Sequence, residues 1–237
     1  MGRIFQTRKA TMFKRYAKMA KQFTKIGKEI VMAVKAGGPH PDLNPRLRIC
    51  IANAKAVNMP KANIDSAIKR ASERDTSSYD EVIYEGYGPF GVPVLVECAT
   101  DNPTRTIANL RLYFSRSNGS VGTTGSVSFM FDRKGLFKID STGLNKDDVE
   151  LNLIDYGAEE LTWDDENNEL IIQVAFNDFG LMQSGLEENK YVVKETIKTF
   201  IPNTTKELTE EQELEFEKMI NKMEDDDDIM SVYHNIA

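Results

Sequence analysis

Through the first seventy residues the apolar positions fall three and four apart. Tyr16, Ala20, Phe23, Gly27, Ile30 and Val34 keep that step, which predicts a long helix with one apolar stripe. Lys14, Lys18, Lys21, Lys25 and Lys28 repeat at the same spacing on a neighbouring face. Gly37-Gly38-Pro39 stops the helix with a C-terminal glycine and then a residue that cannot continue it. Asn44-Pro45 begins a second one, with Asn able to cap and Pro preset for the first turn. It runs through Leu47, Ile49, Ile51 and Ala54 to about Val57. Pro60 opens a third helix, with Ile64, Ala67, Ile68 and Ala71 on its buried side, and Arg74 to Ser78 reads as a linker.

Beyond the linker the period shortens to two. Val82–Tyr84 and Val92–Cys98 read as strands joined by a turn-rich loop at Gly86–Gly91, Thr104–Ser117 as helix and Ser126–Phe131 as strand. From Gly135 the order is strand Leu136–Ile139, helix Lys146–Tyr156, strand Glu159–Trp163, strand Glu169–Ala175, helix Asn177–Glu188 and strand Tyr191–Phe200. That is β-α-β-β-α-β, the order of a ferredoxin-like sandwich. The tail adds a helix, Thr209–Glu224, and a strand, Ile229–Tyr233, with no sheet of their own. The segment 79–132 in turn lacks a helix and a closing strand. The expected fold is therefore α+β: a three-helix domain at 1–78, then two ferredoxin-like α/β domains. The middle one is built from 79–132 plus 202–237, and the last, 133–201, is inserted into it.

Charge changes this picture from architecture to partner. Residues 1–75 hold 17 basic and 5 acidic side chains, a balance of +12, while the other 162 residues carry −19. A pI near 5.1 hides the split. Such asymmetry points to a nucleic-acid partner. Lysines on a helix are often only a solvated face. Here, however, five follow one face, with Glu29 arriving only after the last. The candidate nucleic-acid-binding set is Arg8, Lys9, Lys14, Arg15, Lys18, Lys21, Lys25, Lys28, Arg46, Arg48, Lys55 and Lys61, with Lys69 and Arg70 adding charge nearby. Aromatic side chains are sparse among them, so the expected contact is with the phosphate backbone and is salt-sensitive.

Other chemistry finds little support in the sequence. His40 and His234 have no second ligand at zinc spacing. Asp225 to Asp228 reads as a solvated charge run, since consecutive carboxylates do not converge as in a calcium loop. The Gly86–Gly91 loop lacks the Gly-Lys-Ser/Thr ending of a phosphate loop, and no hydrolase triad stands out. Cys50 and Cys98 sit in apolar runs as structural thiols. No enzyme, cofactor, metal site or small-molecule substrate is expected. No run is long enough for a membrane helix, and no signal peptide is apparent. Residues 1–28 lack acids, as mitochondrial presequences do, but the bases are mostly Lys, Ser is absent and the helix pattern runs on without a break. The expected location is the cytoplasm.

Several motifs in order resemble the YebC/PmpR family. They are Ala36-Gly37-Gly38-Pro39, Asn44-Pro45-Arg46-Leu47-Arg48, Ala54-Lys55-Ala56, Asn58-Met59-Pro60-Lys61, Tyr84-Glu85-Gly86-Tyr87-Gly88-Pro89, Val96-Glu97-Cys98, Thr100-Asp101-Asn102, Arg105-Thr106, Gly122-Thr123, Gly125-Ser126-Val127 and Val232-Tyr233-His234-Asn235. The resemblance covers nearly the whole chain. It implies three domains, the last inserted in the second, in a cytosolic DNA-binding transcriptional regulator without catalytic residues. Some members, including a mitochondrial translational activator of cytochrome c oxidase, act instead on translation at the ribosome. It also implies an interdomain or partner surface at Tyr84, Glu85, Tyr87, Asp101, Asn102 and Arg105. Two departures stand out: the chain begins Gly2-Arg3-Ile4-Phe5-Gln6 where many members have Gly-His-Ser-Lys-Trp, and Phe90 stands where Gly is usual. The alternatives are DNA and ribosomal RNA. The family label favours transcription. The acidic body favours the ribosome, because a bare duplex repels it.

Overall fold

A computed structural model of the chain describes residues 3–73 and 78–237, with side chains described from residue 19 onward in the first helix. In chain order the elements are α1 (Arg3–Gly37), α2 (Pro45–Ala56), α3 (Lys61–Ser72), β1 (Asp80–Tyr87), β2 (Pro93–Thr100), α4 (Pro103–Arg116), β3 (Ser120–Val121), β4 (Phe131–Asp140), α5 (Lys146–Ile154), β5 (Ala158–Asp164), β6 (Glu169–Ala175), α6 (Phe179–Glu188), β7 (Val193–Pro202), α7 (Glu210–Glu224) and β8 (Ile229–His234). Most of the expected linker, 74–77, lies outside the described residues.

The three helices enclose one core of Ile30, Val34, Leu47, Ile64 and Ala67, with Phe23 and Ile26 against it. Asn44 fixes the entry to α2. Its side-chain oxygen accepts the Leu47 N–H at 3.1 Å, while its amide donates to the Ala33 carbonyl at 2.8 Å. One buried Asn thus caps α2 and ties it to the end of α1.

Both sheets have four strands and antiparallel neighbours throughout. The second runs β5-β6-β4-β7, the ferredoxin-like order, with α5 and α6 supplying Val149, Leu153, Met182 and Leu186 to its core. The first runs β3-β1-β2-β8. Its connectivity is the same pattern rearranged: β2, α4, β3, α7 and β8 are in place, but the strand due between β3 and α7 is supplied from upstream by β1. At that vacated point in the chain the unit β4–β7 is inserted. A small junction of Leu95, Val127 and Phe131, flanked by Phe200 and Tyr233, joins the two units.

One local reading changes. Ser126–Phe131 is not a strand: a 3-10 turn covers Ser128–Met130, and pairing starts at Phe131. The Glu85 carboxylate accepts the N–H groups of Gly125, Val127 and Ser128 at 2.7, 2.7 and 2.9 Å, so those donors are withdrawn from any ladder. Phe90 adopts φ 61°, ψ 16° in the loop before β2. The left-handed region costs a side chain of this size about 1–2 kcal/mol and glycine nothing.

Candidate nucleic-acid interface

The lysine stripe of α1 turns partly inward. Lys28 is buried, and its ammonium donates to the Ala99 carbonyl at 2.9 Å, the Asp227 carbonyl at 2.7 Å and the Asp228 carboxylate at 3.2 Å. Lys25 donates to the Met230 carbonyl at 2.9 Å, and Lys21 pairs with the Asp225 carboxylate. Burial lowers the Lys25 pKa. Arg8, Lys9, Lys14, Arg15 and Lys18 lie outside the residues whose side chains are described.

The acidic run is correspondingly solvated only in part: Asp225 and Asp227 are exposed, while Asp226 and Asp228 turn inward. Asp228 is 5 % exposed, and its second carboxylate oxygen also takes hydrogen bonds from Arg105 Nη2 at 2.6 Å, Thr106 at 3.0 Å and Thr100 at 3.2 Å. Burial pushes this carboxyl up, but the bonds from Arg105, Lys28 and Thr106 outweigh it and hold the group below the usual range. Asp226 accepts from Asn109 at 3.0 Å and from the Tyr113 hydroxyl at 2.9 Å. The run therefore clasps α1 to α4 and β2. The charges that make it look solvated in sequence are the ones it needs to hold two lysines and an arginine of distant elements.

The helical domain also grips the inserted unit. The Asn53 amide donates to the Thr196 carbonyl at 2.7 Å and accepts the Thr196 N–H at 3.0 Å, so one α2 side chain caps the free edge of β7. Arg46 pairs with Glu81. Arg48 donates to the carbonyls of Pro41 and Asp42, both at 3.1 Å, and to Glu187 at 3.0 Å. A cavity of about 420 Å³ remains where the helices meet both sheets. Glu29, Glu81, Glu97 and Glu195 face it alongside Arg46, Arg133 and Lys198, so it has no bias toward phosphate. Burial, then the neighbouring Glu97, raises the Glu29 pKa.

After these pairings, Lys55, Lys61 and Lys69 remain exposed, with no hydrogen-bond or ionic partner among the described residues, and Arg70 is exposed beside them. Lys55 ends α2 and Lys61 opens α3, so they sit on the two sides of one turn.

The second expected surface divides in the same way. Glu85 is a correction: at 5 % exposed it is interior, and its role is to order the 122–128 loop. Burial pushes its carboxyl up, while the three N–H bonds hold it below the usual range. Tyr84 packs on the core of the first sheet, and the Tyr87 hydroxyl donates to the Ser126 carbonyl at 3.1 Å. Asn102 caps α4 by accepting the Arg105 N–H at 3.0 Å. Arg105 bridges Asp101 and Asp228. Both thiols, Cys50 and Cys98, are buried and pushed up to about 12. No group of three His, Cys, Asp or Glu placed to hold a metal occurs among the described residues.

Residues 3–74 match the TACO1/YebC protein N-terminal domain, and residues 79–236 match the TACO1/YebC second and third domain. The chain belongs to the TACO1/YebC family. Family relatives named "Probable transcriptional regulatory protein" include one from Cytophaga hutchinsonii, 55 % identical over 100 % of this chain and 99 % of its own. Another, from Flavobacterium johnsoniae, is 50 % identical over 100 % of this chain and 99 % of its own. A solved structure, a conserved hypothetical protein from Aquifex aeolicus, is similar with a TM-score of 0.76 at 34 % identity, over 93 % of this chain and 91 % of that one. Sequence reasoning missed Asn53, Thr100, Thr106, Asp226 and Asp228 as holders of the domain arrangement. The available signal was the presence of both a dense acidic run and a lysine stripe in one chain.

Proposed function

We propose that this protein is a nucleic-acid-binding regulator of gene expression that engages phosphate through its helical domain and catalyses no reaction. The observation that carries this reading is the outward set Lys55, Lys61 and Lys69, left without partners among the described residues in a domain of formal charge +12. The name of its family relatives supports regulation of transcription on DNA. A second reading, ribosomal RNA in the ribosome, is favoured by one observation: the −19 body would be repelled by a long bare duplex but tolerated beside basic ribosomal proteins. Among the described residues no helix is long and apolar enough to cross a membrane.

The test is a salt titration of binding to duplex DNA and to purified ribosomal subunits. The triple variant Lys55→Glu, Lys61→Glu, Lys69→Glu should weaken the true target and flatten the salt slope by about 0.9 for each duplex phosphate no longer neutralised. Unchanged affinity for both targets would refute this interface. Weakening on one target alone identifies it.

A further inference from the structure

Gly27 lies inside α1 and is buried, yet a Cβ built there would meet no atom within 4 Å. It does not adopt a positive φ. Glycine inside a helix is less favourable than alanine. Neither backbone conformation nor close packing therefore requires this glycine, and helix stability opposes it. What lies beside it is open space: a groove of about 460 Å³ between α1 and α3.

The groove has a definite chemistry. Phe23, Met59 and Ala67 give it an apolar floor. Asn63, Ser66 and Arg70 line it from α3, at the three- and four-residue steps of a single helix face. The Asn63 and Ser66 side chains are exposed and have no hydrogen-bond partner among the described residues. Across from them Thr24 gives its proton to the Ala20 carbonyl at 3.1 Å, which leaves its lone pairs facing out. The lining holds no carboxylate; of its two cations, Lys28 is turned to Ala99, Asp227 and Asp228, and Arg70 stands on the α3 wall. The junction cavity, by contrast, has four carboxylates, and a third cavity beside α7 has Glu213, Glu217 and Glu224 with no Lys or Arg.

We propose that the α1–α3 groove is a slot for one unstacked nucleobase of a single-stranded nucleic acid. The base lies on the apolar floor with its edge against Asn63, Ser66 and Thr24, and the adjoining phosphate reaches the exposed Lys69 on the same helix. This rests on the nucleic-acid reading above and makes it more specific, because bases stacked in a duplex cannot enter. An amide with two donors and an acceptor beside two hydroxyls suits a base edge, whereas phosphate alone calls only for cations.

The test fills the slot. Gly27→Leu starts from a Cβ that meets no atom within 4 Å and favours the helix. Affinities are measured by fluorescence anisotropy for a mixed-sequence single-stranded RNA, its DNA equivalent and the corresponding duplexes. The proteins compared are the unmodified chain, Gly27→Leu, Ser66→Leu from the facing wall, and the triple lysine reversal. Both leucine variants should lose at least tenfold in single-strand affinity, keep duplex affinity and keep or raise Tm. A difference between the RNA and DNA arms identifies the sugar. Single-strand binding unchanged in Gly27→Leu and Ser66→Leu but lost in the triple reversal would overturn the slot and leave the functional reading standing. An equal loss on duplex and single strand in the leucine variants would overturn the slot too. If the unmodified chain binds no nucleic acid, both readings fall.

Discussion

Lys21, Lys25 and Lys28 on α1 and Lys55, Lys61 and Lys69 on α2 and α3 are the same residue in the same basic domain, yet their surroundings are opposite. The first three reach the segment Asp225–Met230 across the domain boundary. The second three face solvent without partners among the described residues. Regular spacing along one helix face, which made the first set the stronger candidate in sequence, is what lets it engage an acidic segment as a unit. The scattered set is left for an external phosphate. A lysine stripe therefore reports that a counter-charge exists, and not whether it belongs to a partner or to the same chain.

The comparison can be broken most directly at Lys28. Lys28→Met leaves Asp228 buried with less compensation and should lower unfolding stability by about 3 kcal/mol or more, whereas Lys55→Met should change it by less than about 0.5 kcal/mol. Urea unfolding of the two variants measures this, and equal effects would erase the distinction. Glu85 extends the inward class to a carboxylate. Glu85→Gln should destabilise by about 2 kcal/mol, the scale of hydrogen bonds to a charged group, and should speed amide exchange at Gly125 and Val127. Unchanged exchange there would detach Glu85 from the loop.

Titration sharpens the contrast further, with opposite signs at two carboxylates. Asp228 is held below its ordinary value of 3.8, so its contribution is present above that value and lost as pH falls through the lower folded one. Glu29 is raised above its ordinary 4.5, so its contribution is present below that value and lost as pH rises through the folded one. Glu29→Gln should therefore melt above the unmodified protein at pH 7, with the gap closing toward pH 4. A constant gap would mean that the carboxyl is not perturbed. Within the α1 stripe the smallest effect is expected at Lys21. Its partner Asp225 is exposed, so Lys21→Met should cost less than about 1 kcal/mol and fade with salt. A cost equal to that of Lys28→Met would place the whole stripe inside.

The two α/β units show how far sequence carries. In β4–β7 every strand and helix follows the last in the order the sheet requires, so hydrophobic period alone gives the unit and leaves only its ends to adjust. In the other unit β1 and β8 lie on either side of β2 although 141 residues separate their nearest ends. That closure was legible only as an incompleteness, a sheet short of a strand and a tail short of a sheet. The turn at Ser128–Met130 was not legible, because the apolar alternation there is genuine and a carboxylate forty residues upstream overrides it.

By itself the sequence determined most of the elements, the split of charge and the family, because periodicity, composition and motif order are local properties of the chain. The tertiary structure alone decided which charges face out. Lys28 and Asp228 are 200 residues apart. Whether a charge is neutralised depends on distance in space and on burial, and no spacing along the chain encodes either.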